Sequence, residues 1–212
     1  MNNKEKLDDF VVQIEFLLIS VVQGVALGAL ASSATGVVTN MQFEYWIYIL
    51  SGFLFILIFW SQAIMHVLSF IRWPLDMIHN FLYFLASLVE VMAFSQINSP
   101  LHWFAFFFIF VLITGFLYFF DLRLIKKSQI GKALYEHTVK EQLFELKVFV
   151  PLGLLFNAVC IWLIFKYPSY FVTNHYHVIL ALLQSLFALI ILINCLNIFK
   201  KRLQLISDYS NG

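Results

Sequence analysis

The sequence predicts an all-α fold, a polytopic membrane bundle of six transmembrane helices with both termini in the cytoplasm. Three observations carry this reading. Hydrophobic residues make up 62% of the 212 positions and charged residues only 12%, against roughly half and about a quarter in an ordinary soluble domain. The apolar residues fall in blocks of membrane-spanning length rather than in alternating or amphipathic patterns. Lysine and arginine gather on alternate sides of those blocks, and positively charged loops stay cytoplasmic.

The first block runs from about Phe10 to Ala34 and the second from about Tyr45 to Ile71, with the polar, β-branched stretch Thr35 to Glu44 between them as a loop. The second ends at Arg72-Trp73-Pro74, where proline disfavours helix in the residue before it and the charge marks an interface. Asp76 beside Arg72 reads as an interfacial ion pair. The third block, about Met77 to Ile97, and the fourth, about Leu101 to Phe120, form a hairpin joined at Asn98-Ser99-Pro100. The only long polar segment follows, 121–147, with six basic residues and Ile130, Leu134, Leu143 and Leu146 at loosely helical spacing. It reads as a cytoplasmic helix leading into the fifth block, Val148 to Phe165. The sixth block is Val178 to Phe199, and a basic tail begins at Lys200-Lys201-Arg202. The whole forms one membrane domain, with no low-complexity linker and no strong internal repeat.

With six spans and the N-terminus inside, 12 of the 13 lysines and arginines fall on the cytoplasmic side and only Lys166 outside. Removing any one internal block would spoil that split, so charge supports the span count independently of hydropathy. Tyr45, Trp46, Trp103, Tyr167 and Tyr170 sit where outer interfaces are expected, as an aromatic belt would. The first block follows a charged head and is too long for a signal-peptide core, so it is expected to remain as a helix.

A net charge of +1 argues against a nucleic-acid partner, which calls for a clustered basic surface. Cys160 and Cys195 lie inside apolar blocks without CxxC spacing and read as core residues. No HExxH, GxSxG, P-loop or dinucleotide fingerprint is present, nor an arginine ladder or a TVGYG filter. No cofactor or metal is expected. His175 and His177 read as residues of a solvated outer loop, and His66 with His79 is the sole pair that a haem would have to use.

Polar residues inside the spans are the remaining functional signal. Glu15 and Gln23 share one face of the first helix, eight residues apart. An unpaired carboxylate in hydrocarbon is expensive, so Glu15 is expected to be protonated, paired or wet. Gln62 and His66 share a face of the second helix, and antiparallel packing brings them near His79 and Asn80 of the third. His79 and Glu90 lie three turns apart on one face, with Glu90 deeper, where burying a carboxylate costs about 2.5 kcal/mol or more. Asn157, Gln184, Asn194 and Asn197 add polar groups on the last two helices. A polar lane through the bundle follows as an expectation, against the ordinary alternative in which each side chain merely ties two helices together.

The first helix also carries Ser20, Gly24, Gly28 and Ser32, a small residue every fourth position. Such a stripe lets another backbone approach closely. Its common meaning is packing within one subunit; the alternative is the interface of a homo-oligomer or a helix that lines a pore.

Two stretches resemble a known family. The run Tyr45-Trp46-Ile47-Tyr48 leading into Ile49-Leu50-Ser51, then Phe59-Trp60 and His66, is similar to the second helix of the bacterial relatives of the lysosomal potassium channel. The stretch Asn80-Phe81-Leu82-Tyr83-Phe84-Leu85 is similar to the start of that family's third helix. The resemblance implies a small six-helix protein with both termini cytoplasmic, an oligomeric cation channel in a bacterial inner membrane. The family's first helix carries an arginine and then Phe-Ser-Asp; here the corresponding stretch is Lys6 to Phe10-Val11-Val12, without the serine and aspartate.

The function expected from these features is a channel-like or transport protein with the lipid bilayer as its surroundings, oligomeric and possessed of a first helix at the conducting or packing interface. The alternative is a non-conducting membrane module whose segment 121–147 docks a cytoplasmic protein partner. A third reading is an intramembrane enzyme that uses His66, His79 and Glu90.

Overall fold

A computed structural model describes residues 3–70, 77–127 and 132–210. Seven α-helices account for most of them: α1 (Asn3–Thr39), α2 (Trp46–Phe70), α3 (Met77–Ser95), α4 (Pro100–Lys127), α5 (Lys132–Phe144), α6 (Val150–Lys166) and α7 (His177–Ser210). No strand occurs among the described residues. A π-helical turn, Glu145–Phe149, joins α5 to α6 without a break, and another, Ser169–Thr173, precedes α7. Six helical stretches are long and apolar enough to cross a membrane: Lys6–Thr39, Phe43–Ser69, Met77–Ser95, Pro100–Lys126, Lys132–Lys166 and His177–Leu205. By length and composition these six helices suggest an integral membrane protein.

The helices overrun the apolar blocks from which they are predicted. Residues 35–39, expected in a loop, continue α1, with the Thr35 hydroxyl donating to the Ala31 carbonyl 2.9 Å away. The first connection shrinks to a turn with Met41 at φ 53° and a short 3-10 helix, Phe43–Tyr45. Likewise α4 runs on past Phe120 to Lys127, since neither proline nor glycine interrupts Asp121 to Lys127. The expected turn at Arg72-Trp73-Pro74 and the Arg72–Asp76 pair lie outside the described residues.

Surface and interior divide as the bilayer demands rather than as water does. Leu17, Trp60, Phe81, Phe116, Leu155 and Ile190 are among the many large apolar side chains exposed on the outside. Among the described residues seventeen polar or charged side chains are buried, including Glu15, Glu90, Asp121, Glu145 and Arg202. Hydrocarbon outside tolerates the first, and only a partner or a wet interior tolerates the second.

α1 packs on α2 and α3, α3 on α4, α4 on α6, and α2 on α7. Glycines set the tightest approaches: a Cβ on Gly115 of α4 would stand 2.9 Å from Val150, and one on Gly153 of α6 would stand 3.2 Å from Val111. Between α2 and α4 the filling is aromatic. Phe55 lies 4.4 Å from Phe107 and Phe59 5.4 Å from Phe110, ring centre to ring centre.

Candidate functional site

Antiparallel hairpins bring the start of α1, the end of α2, the start of α3 and the ends of α4 and α7 to one end of the bundle. At that end His66 of α2 stacks on His79 of α3, ring centres 5.0 Å apart and planes at 11°. Asp121, one residue beyond the predicted fourth block, turns inward between them. Its Oδ1 lies 2.7 Å from His79 Nδ1 and 3.4 Å from His66 Nε2. All three side chains are buried, and their nearest ligating atoms fall within 4.8 Å of one another. The expectation of no metal ligands is thus replaced by a set of three that could hold an ion. Rings stacked this closely leave no room for a porphyrin between them.

One turn deeper, Gln62 Nε2 donates to Glu145 Oε1 across 2.6 Å and lies 3.0 Å from Cys195 Sγ. Glu145 is the first residue of the π-turn, whose wider winding aims a carboxylate from the supposed cytoplasmic segment into the interior. Arg202, expected in a basic tail, is 4% exposed and lines the same cavity as His66, His79 and Asp121. A second cavity, in which Gln62, Tyr118, Glu145, Asn157 and Gln184 stand among mostly apolar walls such as Phe110, Phe156 and Ile191, shares Gln62 and Tyr118 with the first.

Toward the far end, Gln184 of α7 is a hub. It accepts from Trp103 Nε1 at 2.7 Å and from the Ser51 hydroxyl at 3.4 Å, and it donates to Asn157 Oδ1 at 3.3 Å. Asn157 in turn donates to the Gly153 carbonyl at 2.8 Å. Trp103 is fully buried and is therefore no belt anchor. Its ring meets Tyr48 edge-on at 5.1 Å, and the Tyr48 hydroxyl lies 3.0 Å from His177 Nδ1. His177 is buried and stacked on Tyr45, which corrects its assignment to a solvated loop; His175 is exposed, at φ 59°.

A side branch joins α1 to α3. Asn80 Nδ2 donates to Glu15 Oε1 at 2.8 Å, so Asn80 pairs with α1 and not with His66. Gln23 Nε2 reaches the Tyr83 hydroxyl at 3.4 Å. Glu90 is fully buried beside Gln23, and neither of its carboxyl oxygens makes a well-formed hydrogen bond among the described residues. Asn194 is half-buried and Asn197 faces outward.

Of the residues singled out in the sequence, Gln62, His66, His79 and Asn157 meet along the main series, and Glu15, Gln23, Asn80 and Glu90 form the branch. Ser20, Gly24, Gly28 and Ser32 do neither. All four are exposed, and a Cβ on Gly24 or Gly28 would meet nothing within 4 Å. The reading in which they pack within the subunit is corrected: Glu15 and Gln23 occupy the inward face of α1, and the small stripe is left on the outward one. Asp121, Glu145, Tyr48, Trp103, Tyr118 and Arg202 were not singled out as site residues in the sequence. For Asp121 a signal existed, because it ends the helix antiparallel to the one that His79 begins, which matches their depths.

Known protein families, characterised proteins and solved structures include none that matches this chain.

Proposed function

We propose that this chain is a channel-like membrane transport protein, with six spans and both termini cytoplasmic, and that a small cation passes along the polar interior of the bundle. One observation carries the reading: buried polar groups run in series from His177 and Tyr48, through Gln184 and Asn157, to Gln62 and Glu145, and then to Asp121, with two cavities that share Gln62 and Tyr118. Structural ties between helices call for isolated pairs, whereas a passage calls for continuity through the thickness. Carboxylates along the way favour a cation over an anion. The 12 to 1 distribution of basic residues supports the orientation.

Reconstitution in liposomes tests the proposal. Vesicles holding the purified protein should release a proton or monovalent-cation gradient faster than empty vesicles, and Glu145→Gln should slow the release. Flux at the background rate for every cation tried would reject transport and leave the non-conducting module, docked through residues 121–147, as the reading to pursue.

The outward stripe favours a second arrangement, in which copies of the chain meet along α1. Exposure of Ser20, Gly24, Gly28 and Ser32 supports it. Cross-linking of a Gly28→Cys variant at the size of a dimer or larger in membranes would support a homo-oligomer, and a monomer throughout would reject it.

A further inference from the structure

We infer that His66, His79 and Asp121 form a binding site for a divalent first-row transition metal ion such as Zn2+ or Fe2+. The inference does not rest on transport, since an ion held here could equally be structural.

Three elements supply the donors. α2 ends with His66 in its last turns, α3 opens with His79, and Asp121 stands near the end of α4. Two imidazoles with one carboxylate are the donor set that zinc and non-haem iron sites use with a position left open. Magnesium and calcium prefer oxygen alone, so the imidazoles set the class.

The spacing fits. Donors held 2.0–2.2 Å from a tetrahedral ion lie about 3.3–3.5 Å from one another. His66 Nε2 and Asp121 Oδ1 already stand 3.4 Å apart, and His79 Nδ1 and Oδ1 need only open from 2.7 Å. Both nitrogens converge on the same carboxylate oxygen. Metal–imidazole bonds lie in the ring plane, so the two stacked rings would turn about their Cβ–Cγ bonds to face one ion. Burial of all three side chains also removes competition from bulk water.

Room for the open position is present. The cluster borders a cavity of about 30 Å³, enough for a water beside an ion, between the apolar walls of Phe59 and Leu117 and the polar groups of Gln62 and Tyr118. Arg202 lines this cavity too, and Glu145 and Glu141 attract its charge, so the site does not face an unopposed cation.

Metal titration of the full chain decides the matter. Protein purified in detergent through a histidine-free tag, stripped with a chelator, should bind one Co2+ per chain with a visible absorption band that Zn2+ displaces. Asp121→Asn and His79→Gln should weaken binding more than about ten-fold, whereas His102→Gln, at an exposed position, should not. Zn2+ should raise the unfolding temperature of the wild type and not that of Asp121→Asn. His66→Cys covers the case in which those variants fail to fold: its thiolate should add a near-ultraviolet charge-transfer band to the Co2+ spectrum. A wild type that binds no Co2+, variants that bind it as tightly as the wild type, or a cysteine variant without the new band would each overturn the assignment.

Discussion

Gln62 of α2 and Glu145, the first residue of the π-turn, are joined by a 2.6 Å hydrogen bond in the interior of the bundle. This bond links the helix that carries His66 to the long helix that enters from the polar segment, and both residues line the same mostly apolar cavity. Gln62 also lines the smaller cavity beside His66, His79 and Asp121, so the pair stands where the two cavities adjoin.

Gln62→Leu removes the donor and leaves the Glu145 carboxyl buried without it. Unfolding in detergent should show a loss of about 1–3 kcal/mol, the cost of an abandoned buried acceptor. Gln62→Leu combined with Glu145→Leu should recover most of that loss, because neither polar group then remains to be satisfied. A double variant as unstable as the single one would contradict the pairing.

Glu90 is buried beside Gln23, with no well-formed hydrogen bond to either carboxyl oxygen among the described residues. In hydrocarbon such a group costs stability, and it is by default a candidate for function. Glu90→Leu should therefore unfold at a higher temperature than the wild type, by the equivalent of about 1–3 kcal/mol, while slowing cation release from vesicles. Thermal unfolding and flux assays on the same preparation check both halves.

The glycines separate into two kinds. A Cβ on Gly52 would lie 2.9 Å from Leu30 Cδ1 and 2.9 Å from Phe94 Cε1, at the meeting of α1, α2 and α3. Gly52→Ala should destabilise the monomer by about 1–3 kcal/mol through overpacking. Gly28→Ala, with nothing within 4 Å, should leave monomer stability unchanged or raise it by up to about 1 kcal/mol from helix propensity. Comparing their unfolding midpoints in detergent tests the inward and outward assignment of the helix faces.

Trp103→Phe keeps the ring in the aromatic core and deletes the indole N–H that Gln184 accepts at 2.7 Å. A loss of about 1–2 kcal/mol is expected, and Gln184→Leu in the same background should add little more. Strongly additive losses in this cycle would show that the two side chains do not interact.

The six long apolar helices were legible because each contains a long apolar block of the sequence. Their ends were not, because a helix does not stop where the apolar run stops: α4 carries Asp121 to Lys127 onward as helix, and α1 absorbs Thr35 to Thr39. Of the site, Gln62, His66, His79 and Glu90 stood out as polar residues in apolar surroundings. Asp121, Glu145 and Arg202 did not, since each lies within or beside a charged stretch that reads as solvated until the fold turns it inward. Facing direction was the other hidden quantity. Periodicity along α1 places Glu15 and Gln23 on one face and Gly24 and Gly28 on another, but which of the two meets the rest of the bundle depends on partners far away in sequence, among them Asn80 and Tyr83.

Accessibility of single cysteines from water tests most directly the claim that a polar, water-reachable passage runs through an apolar-coated bundle. In membranes holding a Cys160→Ala, Cys195→Ala background, Asn157→Cys should react with a small, charged, membrane-impermeant thiol reagent, and Leu155→Cys, two residues away on the outward face, should not. Protection of Asn157→Cys equal to that of Leu155→Cys would contradict the account.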